Sequence, residues 1–495
     1  MNFAEELALL IKSRYLLVYL ESADEEYALG QLREIARRLR LLFCRWSVTE
    51  GLCREDNNGS YYQTNDPGYM LRTLLELVGA TGFGPGLFVF KDFHRHLGDE
   101  VILRLLKDLV LKIKDTPDTI VILASEYRLP ADLEPYTAHI AGGYPDEDEI
   151  AAQLVQVIDD AMRRDRRIRV VLAPGETSRI IAALKGLTSQ QIRNVISQAI
   201  QDDGILSLAD LAAIEEYKRK AFDREGLLEF CAAARQAEIA GFANLKAWLA
   251  ERAGCFDGDG GGLPPPRGVL LMGVQGCGKS LAVKVIAGEL DLPLYQLDLS
   301  RLYSKYIGET EQNLRKALAV AERLAPICLW IDEIEKGFAA AGGGDVDGGV
   351  SQRVLGTFLT WMQERKAPCF VAATANDVYR LPPEFLRKGR FDEIFFVDLP
   401  DRAQREAIFA IHLRKRGYDP AQFDIAELAA RTAEFNGAEI EQVVISALYG
   451  ATHRREPLAT AHILEKIAAT KPLAVLKREE IAALREWARE RTVPA

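Results

Sequence analysis

Several features that would point to common protein classes are scarce or missing in this chain. Its seven cysteines (Cys44, Cys53, Cys231, Cys255, Cys277, Cys328, Cys369) are odd in number and never in a CxxC spacing. Neither a disulfide framework nor a zinc site follows from them, which fits a reducing compartment. The six histidines show no HExxH or paired-ligand spacing, and His94 and His96 read as part of a solvated loop rather than a metal site. Asp257-Gly258-Asp259-Gly260 has no glutamate at the twelfth position of a calcium loop. No uninterrupted apolar run is long enough to span a bilayer. The opening stretch MNFAEELALLIKSRY places acids before its apolar residues and has no small-residue cleavage site, unlike a signal peptide. An excess of positive charge is absent too, since 62 Lys and Arg face 72 Asp and Glu, for a net charge of −10. Attraction of the whole molecule to nucleic acid or to an anionic membrane is therefore not expected. The expectation is a cytoplasmic protein.

What is present is material for several cores. At 495 residues and 48% hydrophobic content, the length suggests about three domains. A Gly-rich connector at 258–262 and a Pro-Pro-Pro-Arg lead-in precede an apolar run, 268–272, that reads as a strand buried on both faces. Next comes Gly273-Val274-Gln275-Gly276-Cys277-Gly278-Lys279-Ser280, followed by Leu281 and a helix with Val283, Ile286, Ala287 and Leu290 on one stripe. Glycines let backbone N–H groups curl around phosphates at a helix N-terminus. Lys279 supplies a point charge to the β- and γ-phosphates, and Ser280 offers a hydroxyl to Mg2+. Cys277, inside this loop, reads either as a redox switch or as a small filler residue.

A second apolar run, 327–331, ends in Asp332 and Glu333. Downstream of a phosphate loop, Asp332 is predicted to hold Mg2+ through water and Glu333 to polarise the attacking water. A third run, 370–374, ends near Asn376, whose amide can orient the water or touch the γ-phosphate. Arg387 and Arg390 lie three apart in the segment 381–392.

Together these residues, from about Pro264 to Leu448, resemble the AAA ATPases. Ala373-Thr374-Ala375-Asn376 is similar to their sensor-1 segment, and 386–392 to their second region of homology. The resemblance implies that Arg387 and Arg390 are arginine fingers acting on the neighbouring subunit's nucleotide. It implies that Gly437 and Ala438 pack on the adenine side, and that Tyr306 and Ile307 form the tip of pore loop 1, which grips a threaded polypeptide. A Tyr306 in the core is the competing reading. The loop spelling GVQGCGKS departs from the commoner GPPGTGKT but keeps every chemically required position. That spelling, the Gly-rich insert at 341–349 and the segment 356–364 resemble the hypothetical chloroplast reading-frame AAA proteins of algal plastids and cyanobacteria. By this resemblance the compartment is the cytoplasm, or the stroma for a plastid-encoded chain.

The first half has no phosphate loop, yet it repeats the pattern. Runs at 15–20, 87–90 and 119–123 read as strands. Glu21, Asp24, Glu25 and Glu26 stand where phosphate-binding glycines belong, and would repel a triphosphate. After the second run Asp92 stands in the place of Asp332 and Phe93 in that of Glu333, and in ungapped register with 376–382 Ala124 falls where Asn376 stands. Tyr127-Arg128-Leu129-Pro130 repeats the residue types of 379–382, and 186–196 echoes 437–444. The expected fold class is α/β: a P-loop AAA module, a parallel sheet flanked by helices plus a helical lid, preceded by a degenerate ATPase-like domain. A generic α/β domain is the alternative for the first half, and a different strand order there would favour it. The expected divisions are a degenerate domain at 1–211, a helical linker at 212–263, the large ATPase subdomain at 264–400 and a helical lid with C-terminal helices at 401–495. The linker is expected to cover the nucleotide face.

The function expected is Mg-ATP binding and hydrolysis by a ring-forming protein-remodelling motor, a hexamer by the family's habit, with a protein client. Nucleic acid and membrane are not expected partners. No Asn-Lys-x-Asp guanine reader is present, which favours ATP over GTP. The alternative is an ATP-gated scaffold with slow turnover.

Overall fold

The computed structural model describes residues 3–56, 59–80, 83–223, 226, 228–234, 239–252, 254–256, 263–302, 309–338, 350–387 and 389–495. The chain divides into two compact units, 1–218 and 219–495. No helix among the described residues is long and apolar enough to cross a membrane.

In the first unit the strands are β1 (Leu17–Glu21), β2 (Leu42–Ser47), β3 (Gly51–Arg54), β4 (Gly59–Ser60), β5 (Gly86–Lys91), β6 (Thr119–Ala124) and β7 (Thr137–Ala141). They form one sheet in the order β4-β3-β2-β5-β6-β1-β7. Five of them, β2-β5-β6-β1-β7, are parallel, and β3 and β4 extend the β2 edge in antiparallel fashion. β6 is buried at every residue, as its Thr-Ile-Val-Ile-Leu-Ala sequence requires of a central strand. Leu29, Leu32, Ile35 and Ala36 of the helix Glu25–Leu39 pack on one face with Val18, Leu20 and Val121. The helices Pro67–Leu77 and Glu100–Lys112 cover the other face around Trp46, Phe88 and Phe90. A helical part follows, with helices Glu147–Arg164, Pro174–Leu184 and Ser189–Asp203 and a two-stranded ribbon of β8 (Arg169–Val171) and β9 (Ile205–Ser207).

The second unit contains β10 (Glu229–Cys231), β11 (Gly268–Gly273), β12 (Leu294–Gln296), β13 (Ile327–Ile331), β14 (Cys369–Ala375), β15 (Glu393–Val397) and β16 (Val493–Pro494), in the order β10-β12-β13-β14-β11-β15-β16. Counted along the chain, its core β12-β13-β14-β11-β15 runs second, third, fourth, first, fifth. The core of the first unit, β2-β5-β6-β1-β7, runs the same way. The two units therefore share one strand order, which the generic alternative did not require. Helices Arg402–Lys415, Ile425–Arg431, Gly437–Arg454 and Thr460–Ala469 enclose a separate core around Phe409, Leu428 and Val444. After the helix Arg478–Ala488 the chain returns to the sheet, where β16 pairs with β15.

Two expectations need correction. The linker expected to be helical at 212–263 is not helical throughout, because β10 lies within it and pairs antiparallel with β12. The matching of the two halves was also one residue out. Asp92 is the first residue after β5 and Glu333 the second after β13, and both take a left-handed conformation, at φ +53° and +49°. That shared turn aligns Asp92 with Glu333 and Lys91 with Asp332. The parallel register then puts Leu123 at the place of Thr374 and Ser125, not Ala124, at the place of Asn376.

Candidate functional site

The site forms at the carboxyl end of β11, between β14 and β15, where an open parallel sheet leaves a crevice. The loop 273–278 leads from this strand into the helix Lys279–Glu289. A Cβ on Gly273 would stand 2.0 Å from the Val397 carbonyl oxygen, and one on Gly276 2.7 Å from the Asn436 side chain. Glycine is required at both positions by close approach as well as by positive φ. Lys279 is 6% exposed, and its ammonium donates to the carbonyls of Gly273 and Val274, each at 2.8 Å. Burial pushes its pKa down to about 8. No carboxylate forms an ion pair with it among the described residues. A desolvated cation held only by carbonyl oxygens is the environment an anion would stabilise.

Opposite the loop, a hydrogen-bonded chain joins the ends of β13 and β14. The Ser280 hydroxyl lies 3.4 Å from Asp332 Oδ1, and the Thr374 hydroxyl donates to that same oxygen at 2.5 Å. Thr374 also accepts the Glu333 N–H at 2.9 Å. Asn376 Nδ2 donates to Glu333 Oε1 at 2.8 Å, while the Asn376 N–H is held by Glu335 Oε1 at 2.9 Å. Lys336 forms an ion pair with Glu333. Glu335 is 2% exposed, and burial raises its carboxyl pKa. A hydroxyl and a carboxylate side by side form the oxygen set a small hard cation takes.

Gly276, Gly278, Lys279, Ser280, Asp332, Glu333, Thr374 and Asn376 line a cavity of about 570 Å³ together with Gln275, Cys277, Leu281, Gly437 and Ala438. The residues Gly276, Cys277, Gly278, Lys279, Ser280, Asp332, Glu333, Asn376, Gly437 and Ala438, singled out from sequence, are thus brought together. Gly273 and Val274 lie behind the loop and act through their carbonyls on Lys279. Burial raises the Cys277 thiol pKa to about 12, so it stays protonated and the filler reading is favoured over a redox switch.

The apolar half of the cavity was not read from the sequence. Ile239, Ala240 and Phe242 form one wall, and Ile408, Ile411 and His412 another. Phe242 sits at φ +61°, and its ring is 3.9 Å from where a Cβ on Gly278 would be. The one available signal was Gly241, a glycine amid apolar residues just before the helix Ala243–Ala250. Burial lowers the His412 pKa against the opposing field of Glu441. The lid helix Gly437–Arg454 starts at the loop itself, with the Ala438 N–H on the Gly276 carbonyl at 3.1 Å.

The two arginines are not equivalent. Arg387 is exposed. Arg390 is 8% exposed, donates to the Glu384 carbonyl and leaves its Nε without a partner, and burial lowers its pKa. Neither lines the cavity. Tyr306 and Ile307 lie outside the described residues.

In the first unit the corresponding positions have opposite charges. Glu25 opens the helix after β1 as Lys279 opens the helix after β11, and Lys91 stands at the place of Asp332. The two pair with each other, Lys91 Nζ to Glu25 Oε1 at 2.7 Å.

Comparisons with known proteins agree with this geometry. The family model "ATPase family associated with various cellular activities (AAA)" matches residues 269–399. Those of the SpoVK-like AAA ATPase N-terminal and second domains match 3–141 and 148–225. The chain is 36% identical over 493 residues to the uncharacterized AAA domain-containing protein ycf46 of Trieres chinensis, covering 99% of this chain and 97% of that one. It is 35% identical to the protein of the same description in Guillardia theta, over 99% and 95% of the two chains. A cell division cycle protein 48 homolog of Archaeoglobus fulgidus is 34% identical over 46% of this chain and 32% of its own. The chain belongs to the AAA ATPase family and, along nearly its full length, groups with the ycf46-type AAA domain-containing proteins.

Proposed function

We propose that the second unit binds Mg-ATP and hydrolyses it, and that the protein is a ring-forming motor that remodels a protein client. The observation that carries this reading is the arrangement around Lys279: a buried, unpaired ammonium on one side and the Ser280–Asp332–Thr374 and Glu333–Asn376 pairs on the other. The loop N–H groups and Lys279 hold the phosphates, and the apolar walls hold the base. Ser280 and Asp332 hold the Mg2+, which when bound neutralises charge on the phosphates. Glu333 orients and polarises the attacking water, and Asn376 fixes the direction of that carboxylate. Arg387 of a neighbouring subunit completes the site, so turnover per subunit rises with protein concentration.

The test is a Glu333→Gln variant of the full chain, which keeps nucleotide affinity and loses turnover by ~10²–10⁴-fold. With ATP it should form stable assemblies that retain a bound protein. Turnover unchanged by the substitution, or no assembly with ATP, would overturn the reading.

One observation favours the ATP-gated scaffold as a second reading. Lys336 forms an ion pair with the Glu333 carboxylate, which competes with its contact to water. Tyr306→Ala separates the two: a motor loses remodelling and keeps its ATPase, whereas a scaffold keeps its function.

A further inference from the structure

In the first unit the connection after the first strand is short. Three residues, Ser22, Ala23 and Asp24, separate the strand end Glu21 from Glu25, whereas five separate the strand end Gly273 from Lys279. Asp24 is the N-cap of the helix Glu25–Leu39, the place Gly278 holds in the second unit. It is 5% exposed. Its Oδ1 accepts the Tyr27 N–H at 3.1 Å, and its Oδ2 accepts the Ser189 N–H at 2.5 Å. Ser189 is the first residue of the helix Ser189–Asp203 in the helical part, whose own N-cap is Thr188.

One carboxylate thus sits between the N-terminal ends of two helices, each presenting unpaired N–H groups and the positive end of its dipole. Such ends are where phosphate oxygens bind in nucleotide proteins. Neighbouring bonds reinforce the junction. Tyr27 Oη donates to Glu149 Oε2 at 2.7 Å and Gln31 Nε2 to Glu149 Oε1 at 2.6 Å, and Glu149 belongs to the helix Glu147–Arg164 of the helical part. In the second unit the equivalent approach is the backbone contact of Ala438 with Gly276, with no carboxylate in it.

We infer that Asp24 is a built-in anion that takes the place of a bound phosphate and holds the helical part of the first unit on its sheet, so that this unit stays closed at every nucleotide concentration. The inference concerns the first unit alone and stands whether or not the second unit hydrolyses ATP.

Hydrogen exchange of the full chain tests it. In the unmodified protein, exchange in the helix Ser189–Asp203 is the same with and without Mg-ATP. Ser189→Pro deletes the N–H that Asp24 holds, at the first helical position, where proline is tolerated. It should speed exchange of that helix by about tenfold or more, the size expected for a lost charge-assisted hydrogen bond. Ser189→Ala keeps the N–H and removes only the hydroxyl bonded to Gln153 at 3.1 Å, so exchange stays near that of the unmodified protein. Equal behaviour of the two variants, or protection of this helix by Mg-ATP in the unmodified protein, would overturn the inference. Should Ser189→Pro loosen β1, β5 and β6 as well, Asp24→Asn decides. It keeps a good cap without the charge, and exchange in that helix unchanged from the unmodified protein would equally overturn the inference.

Discussion

The two units run their core strands in one order, yet the polar residues at the carboxyl ends of corresponding strands are reversed in charge. Lys279 and Asp332 face a cavity in the second unit, while Glu25 and Lys91 pair with each other in the first. Strand order follows from buried apolar runs and their crossover connections, and these tolerate any charge at the strand ends. Chemistry depends on a handful of positions. A reversed pair satisfies its own electrostatics and offers nothing to an anion, so a fold can keep its architecture after its pocket is lost.

The sharpest way to break the comparison is through the residue that links one pocket to the next subunit. On the proposed mechanism Arg387→Ala lowers ATP turnover by ~10³–10⁵-fold with little effect on folding, because a finger acts only on the transferred phosphoryl group. Mixing this variant with Glu333→Gln subunits should restore part of the activity, since each supplies what the other lacks. Arg390→Ala should instead lower the melting temperature along with activity, because Arg390 is buried on the Glu384 carbonyl. Unchanged turnover in Arg387→Ala would remove the case for a shared site.

How much of this was legible follows from what each residue does. The loop 273–280 could be read because a phosphate demands glycine, lysine and serine at fixed intervals. The apolar walls could not: Ile239, Phe242, Ile408 and Ile411 come from segments far apart in sequence, and any apolar residue of suitable shape would serve. Thr374 was quoted within a motif, but its bridging of Asp332 and Glu333 depends on the parallel register of β13 and β14. The one-residue slip over Asp92 came from matching letters, whereas the left-handed turn after the strand is the conserved geometry of the two units. β12 and β16 are three and two residues long, too short for periodicity to mark them.

Smaller effects of opposite sign are expected at two glycines in corresponding helices. A Cβ on Gly288, in the helix Lys279–Glu289, would lie 2.5 Å from the Ala234 carbonyl oxygen, whereas one on Gly30, in the helix Glu25–Leu39, would meet nothing within 4 Å. Gly288→Ala should destabilise the second unit by ~1–3 kcal/mol through overpacking. Gly30→Ala should stabilise the first by ~0.5–1 kcal/mol, because alanine loses less backbone entropy in a helix. Denaturant unfolding followed by hydrogen exchange in each unit reads both, and the same sign at the two sites would contradict the packing described.

The smallest effect belongs to the reversed pair itself. The Glu25 and Lys91 side chains are 46% and 20% exposed, so their contact contributes only ~0.2–1 kcal/mol. Glu25→Lys alone sets two cations together and places a positive charge in the first turn of a helix, where the dipole disfavours it by ~0.3–1 kcal/mol. Adding Lys91→Glu removes the repulsion but not the dipole term, so the double variant should fall between the single variant and the original protein. It should gain no ATP binding, because the short connection and the Asp24 carboxylate still fill the place of a phosphate. Nucleotide binding to the first unit of the double variant, detected by hydrogen exchange at β1 and the helix after it, would show that charge alone separates the two units. Its absence assigns the difference to the length of the loop as well.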